Sequence, residues 1–117
     1  MPPERDHAHL WDMLEAARSV LEFVGARTRS EYLSDPLLQA AVERKVEIIG
    51  EAARKVSDEF RKVHPDIRWR GIIGQRNILA HRYAQIDHQQ VWDLVTVHIP
   101  ELIEKLERLI PPAPQDR

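Results

Sequence analysis

Apolar residues recur at helical spacing along most of this chain, and this periodicity limits its fold more than any other feature. Residues 91, 95, 98, 102, 106 and 109 follow one another at steps of four, three, four, four and three, which place side chains on one face of an α-helix. Similar stripes run from about residue 4 to residue 25 and from about residue 36 to residue 57. No segment alternates with the period of two expected of a strand. The pattern therefore predicts an all-α fold.

Helix start and stop signals divide the chain into four main helices and a short extra turn. Gly25 is suited to end the first helix, and Asp35 followed by Pro36 is suited to begin the second. Ser57 is expected to cap the extra turn. Asp66 is expected to open a third helix, from about residue 67 to residue 80 or 81. Because the connections are short, we expect an antiparallel helical bundle.

The third and fourth helices each contain residues that disfavour a regular helix. Gly71 and Gly74 lower the intrinsic stability of the third helix by about 1 kcal/mol each relative to Ala, and close packing of another backbone would explain both. Asp87 is expected to cap the last helix, and Pro100 is expected to kink it because proline lacks a backbone N–H. In the last stripe, His98 is expected to be a buried, hydrogen-bonded core residue.

Length and composition predict one domain. We assign residues 1–110 of the 117-residue chain to a single helical domain and residues 111–117, which are rich in proline, to a flexible tail. The chain has no Cys, which excludes disulfides and thiolate metal sites. No apolar run approaches the roughly 20 residues of a membrane span. We expect a cytoplasmic protein with no membrane partner, no bound metal and no cofactor.

Charge is distributed unevenly along the chain. The net charge is -2, which does not indicate a protein that binds nucleic acid over its whole surface. Residues 54–82, however, contain eight Lys and Arg against three Asp and Glu, whereas the remainder contains nine against sixteen. This basic island is either a chance cluster on a solvated face or a local site for an anion such as phosphate.

Polar side chains gather at the end of the predicted third helix, where a bundle helix should be largely apolar. Arg76, Asn77, His81, Arg82 and Tyr83 offer two cations, an amide, an imidazole and a phenol. An imidazole suits a general acid or base near neutral pH, and a guanidinium suits a phosphate. Residues five apart on an ideal helix are separated by roughly 140° and 7.5 Å, so Arg76 and His81 do not share a face. A site that uses both needs an unwound helix end or a second copy of the segment.

The spacing Arg-Asn-x3-His-x-Tyr, formed by Arg76, Asn77, His81 and Tyr83, resembles the motif of HEPN domains and of their HepT branch in particular. The segments 47–52, 64–69 and 87–100 are also similar to HepT, so that the resemblance extends in order along essentially the whole chain. HepT proteins are the toxin partners of MNT-type minimal nucleotidyltransferases. The resemblance implies a HEPN-like helical bundle that forms a homodimer, in which the two motifs face each other across the twofold axis.

The resemblance also implies an activity and its control. The chain is expected to be the toxin of a type VII-like toxin–antitoxin system and to cleave RNA as a metal-independent endonuclease. Arg76 and His81 are the implied catalytic residues, and Asn77 supports them. The nucleotidyltransferase antitoxin is expected to neutralise the toxin by transferring AMP to Tyr83. Arg82 receives no firm role.

Other interpretations remain open at this point. The chain would alternatively be a non-catalytic helical module that binds a nucleotidyltransferase partner or a nucleotide, or a plain dimerisation domain. For single residues, Arg76 would alternatively be an ion-pair partner of Glu47 or Glu51, and Asn77 an interhelical hydrogen-bond partner. Glu43, Glu47 and Glu51 follow one another at steps of four and are expected to be solvated or salt-bridged.

Overall fold

The computed structural model describes residues 3–81 and 86–110, and every regular element within these ranges is helical. The helices are α1 (Pro3–Val24), α2 (Arg29–Leu33), α3 (Pro36–Lys55), α4 (Asp58–Val63), α5 (Trp69–His81), α6 (His88–Asp93) and α7 (Ile99–Leu109), and a π-helical segment (Leu94–His98) joins the last two. α1 packs along α3, α3 packs along α5, and α7 lies against α1. The predicted all-α bundle is confirmed. The predicted tail, residues 111–117, lies outside the described residues.

The predicted apolar stripes meet in one common core. The buried stripe residues of the first two long helices are Leu10, Leu14, Ala17 and Val24 on α1, and Leu38, Val42, Ile49 and Ala52 on α3. From the last stripe, Val91, Val95, Leu102 and Leu106 are buried. His98 is only half-buried, at the wall of a largely apolar cavity of about 190 Å³, so the prediction of a buried core histidine is wrong. None of the described helices has the length and apolar character that a membrane crossing requires.

The helix boundaries follow most of the predicted capping signals. Gly25 ends α1 with a φ of +54°, a left-handed conformation that glycine adopts without strain. Asp35 Oδ1 accepts a hydrogen bond from the backbone N–H of Leu38 at 3.0 Å, directly before Pro36 begins α3. Ser57 caps α4, the predicted extra turn, and Asp87 caps α6. These ends are therefore determined by local sequence.

Two boundaries differ from the sequence-based expectation. The short helix α2 was not predicted, although Thr28 and Glu31 form a reciprocal capping box that is visible in the sequence. α5 begins at Trp69 and not near residue 67, and Asp66 does not cap it. The connection before it is a turn, in which the Trp69 indole N–H donates to the His64 carbonyl at 2.9 Å. A local hydrogen bond between residues five apart therefore stabilises this turn, in place of the expected cap at Asp66.

The predicted distortion at Pro100 takes the form of a π-helix. Proline cannot donate to the carbonyl four residues earlier, and its ring crowds that carbonyl. The five residues before Ile99 adopt the wider π-helical geometry, so the irregular turn lies just before Pro100. Single π turns of this kind occur inside α-helices where the normal hydrogen-bond ladder is interrupted.

Candidate active site

α5 lies in close contact with α3 where Gly50 faces Arg76. A Cβ added to the buried Gly50 would lie 2.1 Å from Arg76 Cβ, 2.8 Å from Arg76 Cγ and 3.1 Å from the carbonyl oxygen of Ile72. These distances are too short for any side chain larger than hydrogen. The absence of a side chain at position 50 therefore allows the stem of Arg76 to lie directly against the backbone of α3.

The guanidinium of Arg76 forms a local hydrogen bond and no ion pair within the described residues. Its Nη1 donates to Asn77 Oδ1 at 3.1 Å, while its Nε is inaccessible to solvent and has no hydrogen-bond partner in this part of the chain. Glu47 and Glu51, the alternative partners, lie 2.8 Å and 3.6 Å from Nη1 of Arg44. Glu47 and Glu51 are thus engaged with a cation on their own helix, and the ion-pair alternative for Arg76 is not observed.

Asn77 lies beside Arg76 on the exposed side of α5. Its described side-chain contact is with Arg76 and not with another helix, so the interhelical alternative is not observed either. An amide oxygen in this position orients the guanidinium without neutralising its charge.

The remaining residues of the predicted site fall at or beyond the end of α5. His81 is the last residue of that helix, and its side chain lies outside the described structure. Arg82 and Tyr83 belong to the segment 82–85, which also lies outside the described residues. The structure therefore brings Arg76 and Asn77 together, and the placement of the imidazole and the phenol stays a prediction.

Within the chain, neither glycine of α5 is packed closely against another helix. A Cβ at Gly74 would meet no heavy atom within 4 Å, and one at Gly71 would approach only Arg68 Cβ, at 3.9 Å. A close approach within the chain occurs instead at Gly50, a position that was not expected to have this role. Position 50 carries a recognisable signal, because it is a glycine inside an otherwise regular helix stripe.

A second contact with α3 lies just after the segment 82–85. His88, the first residue of α6, places Nδ1 3.0 Å from Oε2 of Glu43. Burial raises the pKa of Glu43, although the adjacent His88 opposes that shift. Tyr32 is also buried, and this burial raises the pKa of its phenol. The charge of Glu43 makes a smaller contribution in the same direction. Sequence reasoning missed this pairing because its members come from three separate helices.

No group of three or more His, Asp or Glu side chains in the described part of the chain is arranged to hold a metal ion. The chemical groups assembled on α5 are instead an oriented guanidinium and an amide, next to a helix end that carries a histidine at position 81. Such groups bind and stabilise oxyanions such as phosphate.

Comparison with known proteins assigns most of the chain to one family. A family model described as "Ribonuclease HepT-like" matches residues 13–109. A relative from Methanocaldococcus jannaschii, named "Putative RNase", is 37% identical over 100 residues, which cover 86% of this chain and 92% of the relative. A "Probable ribonuclease HepT" from Thermococcus cleftensis is 36% identical over 107 residues, covering 91% and 97% respectively. No solved structure matches significantly. The chain belongs to the HepT-like ribonuclease family.

Proposed function

We propose that this protein is a metal-independent RNA endonuclease, the toxin of a toxin–antitoxin pair. The observation that carries the proposal is the state of Arg76. Its stem is seated against Gly50, it forms no ion pair in the described part of the chain, and its hydrogen bond goes to the neutral Asn77. A guanidinium that is positioned but not neutralised is suited to bind a phosphate through two parallel hydrogen bonds.

The proposed reaction uses the nucleophile that RNA itself contains. The 2′-hydroxyl oxygen attacks the adjacent phosphorus, the bond from phosphorus to the 5′-oxygen breaks, and the products end in a 2′,3′-cyclic phosphate and a 5′-hydroxyl. His81 removes the proton from the 2′-hydroxyl or protonates the leaving 5′-oxygen, a role that typically contributes about 10²- to 10⁴-fold. Arg76 stabilises the negative charge that develops around phosphorus.

The proposal includes a homodimer, because one copy of α5 separates the two catalytic positions by roughly 140° around the helix. The outer face of α5 is suited to a second subunit. Gly74 lies there with open space beside it, and Ile78 is 39% exposed although it is apolar. A stable interface should bury at least about 1,000 Å² in total. Light scattering should report twice the chain mass at micromolar concentration, and a 13.7 kDa monomer would contradict the dimer.

Single substitutions test the catalytic roles. Arg76→Ala and His81→Ala should each abolish RNA cleavage, while circular dichroism and thermal unfolding remain close to those of the wild type. Arg29→Ala and His9→Ala remove the same side chains elsewhere on the helical surface and serve as matched controls. Cleavage by the wild type should persist in EDTA and yield 2′,3′-cyclic phosphate ends. An active His81→Ala variant would overturn the assignment, and activity that disappears in EDTA would overturn the metal-free mechanism.

Control of the toxin is proposed to act through Tyr83. The MNT-type nucleotidyltransferase antitoxin transfers AMP from ATP to the phenolic oxygen, with release of pyrophosphate. The modification adds a phosphodiester charge and a bulky nucleoside two residues beyond His81. Negative charge at that point repels the RNA backbone, and the added bulk occupies space that the substrate needs. Tyr83 is therefore an acceptor in this proposal and not a catalytic residue.

Tyr83→Phe separates modification from catalysis. The variant should cleave RNA as well as the wild type does, yet remain active after incubation with the antitoxin, ATP and Mg²⁺. Intact-mass spectrometry should show the gain of AMP less water in the wild type and not in the variant. Equal mass gain in both proteins would place the modification elsewhere. A wild type that binds the antitoxin but never cleaves RNA would favour the non-catalytic module over the nuclease.

A further inference from the structure

Cationic side chains surround an open basin at the amino-terminal end of α5, opposite the end that carries the motif. Arg61 and Lys62 on α4, Arg68 just before α5 and Arg70 on α5 all line it. One acidic residue, Asp58, also lines the basin. We call this surface the basic basin. Four of the eight cations in the basic island of residues 54–82 line this basin.

Most of this positive charge is not neutralised within the described structure. Arg61 Nη2 lies 2.6 Å from Asp58 Oδ1, so these two charges compensate each other. Lys62, Arg68 and Arg70 are exposed and form no ion pair with any described residue. The basin therefore presents a net charge of about three, and such a surface attracts polyanions in a salt-dependent manner.

The helices that line the basin are fixed by contacts with the rest of the fold. Trp69 is buried, and its ring meets Phe60 edge to face at 6.4 Å between ring centroids. The start of α4 is tied to α1 because Asp6 accepts hydrogen bonds from the Ser57 backbone N–H at 2.9 Å and from the Ser57 hydroxyl at 2.7 Å. The cations consequently project from fixed elements, and a ligand need not order them at the cost of backbone entropy.

Arg70, which lines the basin, and Asn77, which belongs to the motif, fall on the same side of α5. Asn77 follows Arg70 by seven residues, and position 81 follows Asn77 by four. On an ideal helix, these three positions fall within roughly 40° of one another. The rise of a helix separates Arg70 from Asn77 by about 10 Å and from position 81 by about 16 Å. A single extended ligand can therefore touch both ends of this face, whereas a mononucleotide cannot.

We propose that the basic basin binds the phosphate backbone of the single-stranded RNA substrate, a few nucleotides away from the bond that is cleaved. This inference rests on the proposed ribonuclease function and extends it. The basin is open and shallow, as a track for a flexible strand requires, and its cations contact phosphates rather than bases. It increases affinity for long substrates and takes no part in the chemical step.

Binding measurements test the basin independently of cleavage. The inactive His81→Ala protein and the same protein with Lys62→Gln, Arg68→Gln and Arg70→Gln should be compared by fluorescence anisotropy with a labelled single-stranded RNA 12-mer. The basin variant should bind at least tenfold more weakly. Its slope of log affinity against log salt should fall by about 0.7 for each phosphate that the variant no longer neutralises. Arg5→Gln, Arg29→Gln and Arg108→Gln, which remove the same charge elsewhere, should change neither quantity appreciably.

Cleavage of long and short substrates provides the second readout. With an intact motif, the basin variant should show a KM at least tenfold higher for the 12-mer and an unchanged kcat. For a dinucleotide, which reaches only the cleavage point, both constants should match those of the wild type. Equal effects on the two substrates, or equal effects of the control variant, would overturn the proposal.

Two further outcomes are informative. Unchanged RNA affinity combined with an abolished interaction with the nucleotidyltransferase antitoxin would show that the basin docks an acidic protein surface, and it would overturn RNA as the occupant. If the wild type binds the 12-mer through the basin but cleaves neither substrate, the basin stands and the proposed catalytic function fails. The anisotropy experiment tests the basin and the cleavage experiment tests the catalytic function, so either proposal can be contradicted while the other stands.

Discussion

α3 contacts the chain on both sides of the segment 82–85, through two contacts of opposite character. Before the segment, Gly50 admits the stem of Arg76 in a contact made only of carbon atoms and backbone. After the segment, Glu43 lies against His88 in a polar contact of 3.0 Å. Positions 43 and 50 are two turns apart on α3, about 10 Å along its axis.

The difference between the two contacts shows that one helix can hold one neighbour by steric packing and another by a contact that depends on protonation. Packing at Gly50 leaves no room for alternatives, since interiors are as dense as organic crystals and respond poorly to added atoms. The pair at Glu43 depends on protonation and on partial solvation, so its strength changes with conditions. We expect the position of Arg76 to be insensitive to pH, and the anchoring of α6 to be sensitive to it.

The largest effect is expected from Gly50→Ala. The added methyl would overlap Arg76 Cβ and Cγ, and overpacking of this kind typically costs about 1 to 3 kcal/mol. Urea unfolding should show that loss, and cleavage should fall because Arg76 is displaced. In an Arg76→Gly background, which lacks the clashing atoms, the same substitution should cost at least about 1 kcal/mol less. Identical costs in both backgrounds would mean that the contact does not determine the effect.

Gly74→Ala provides the contrasting case on the same helix. Since a Cβ there meets no atom within 4 Å, the gain in helix propensity should raise the unfolding free energy of the dilute protein by about 0.5 to 1 kcal/mol. The same methyl lies on the outer face proposed for a second subunit, so self-association measured by light scattering should weaken. Stabilisation without any change in association would remove Gly74 from the dimer contact.

The smallest effect is expected from Glu43→Gln, and it should depend on pH. The pKa of Glu43 is raised in the folded state above its ordinary value near 4.5, because burial penalises the charged form. A carboxyl of this kind binds its proton more tightly when folded, so its contribution to stability is lost as pH rises from the unfolded pKa through the folded pKa. Glu43→Gln lacks this titration, and its stability relative to the wild type should increase over that range.

The change should be the smallest of the three, because partial exposure of the pair screens the interaction. Urea unfolding at pH values from 4 to 8 checks it, with Glu59→Gln, an exposed carboxylate on α4, as the matched control. A pH profile that is identical in the wild type and in Glu43→Gln would show that Glu43 does not titrate abnormally.

Much of the fold could be predicted from local sequence patterns. The stripes of α1, α3 and the last helix face the core as predicted, because a helical period of 3.6 residues places them on one side. Gly25, Asp35, Ser57 and Asp87 mark helix ends because each satisfies the backbone by itself or through a bond to nearby residues. The capping box at α2 was equally local and was overlooked.

The candidate site could be predicted from the sequence only in part. The motif identified Arg76 and Asn77, which the structure places side by side, and the family assignment agrees with the resemblance that the motif carries. The partners of those residues were not predictable. Whether Glu47 and Glu51 pair with Arg76 or with Arg44 depends on side-chain direction across two packed helices.

The sequence by itself determined most helices, most of their ends and the apolar faces, because these depend on interactions within a few residues along the chain. The tertiary structure alone decided where helices touch. It assigned the close approach to Gly50 rather than to Gly71 or Gly74, and it paired Glu43 with His88. Such contacts join residues that are far apart in sequence, and their geometry is set by the packing of the whole core.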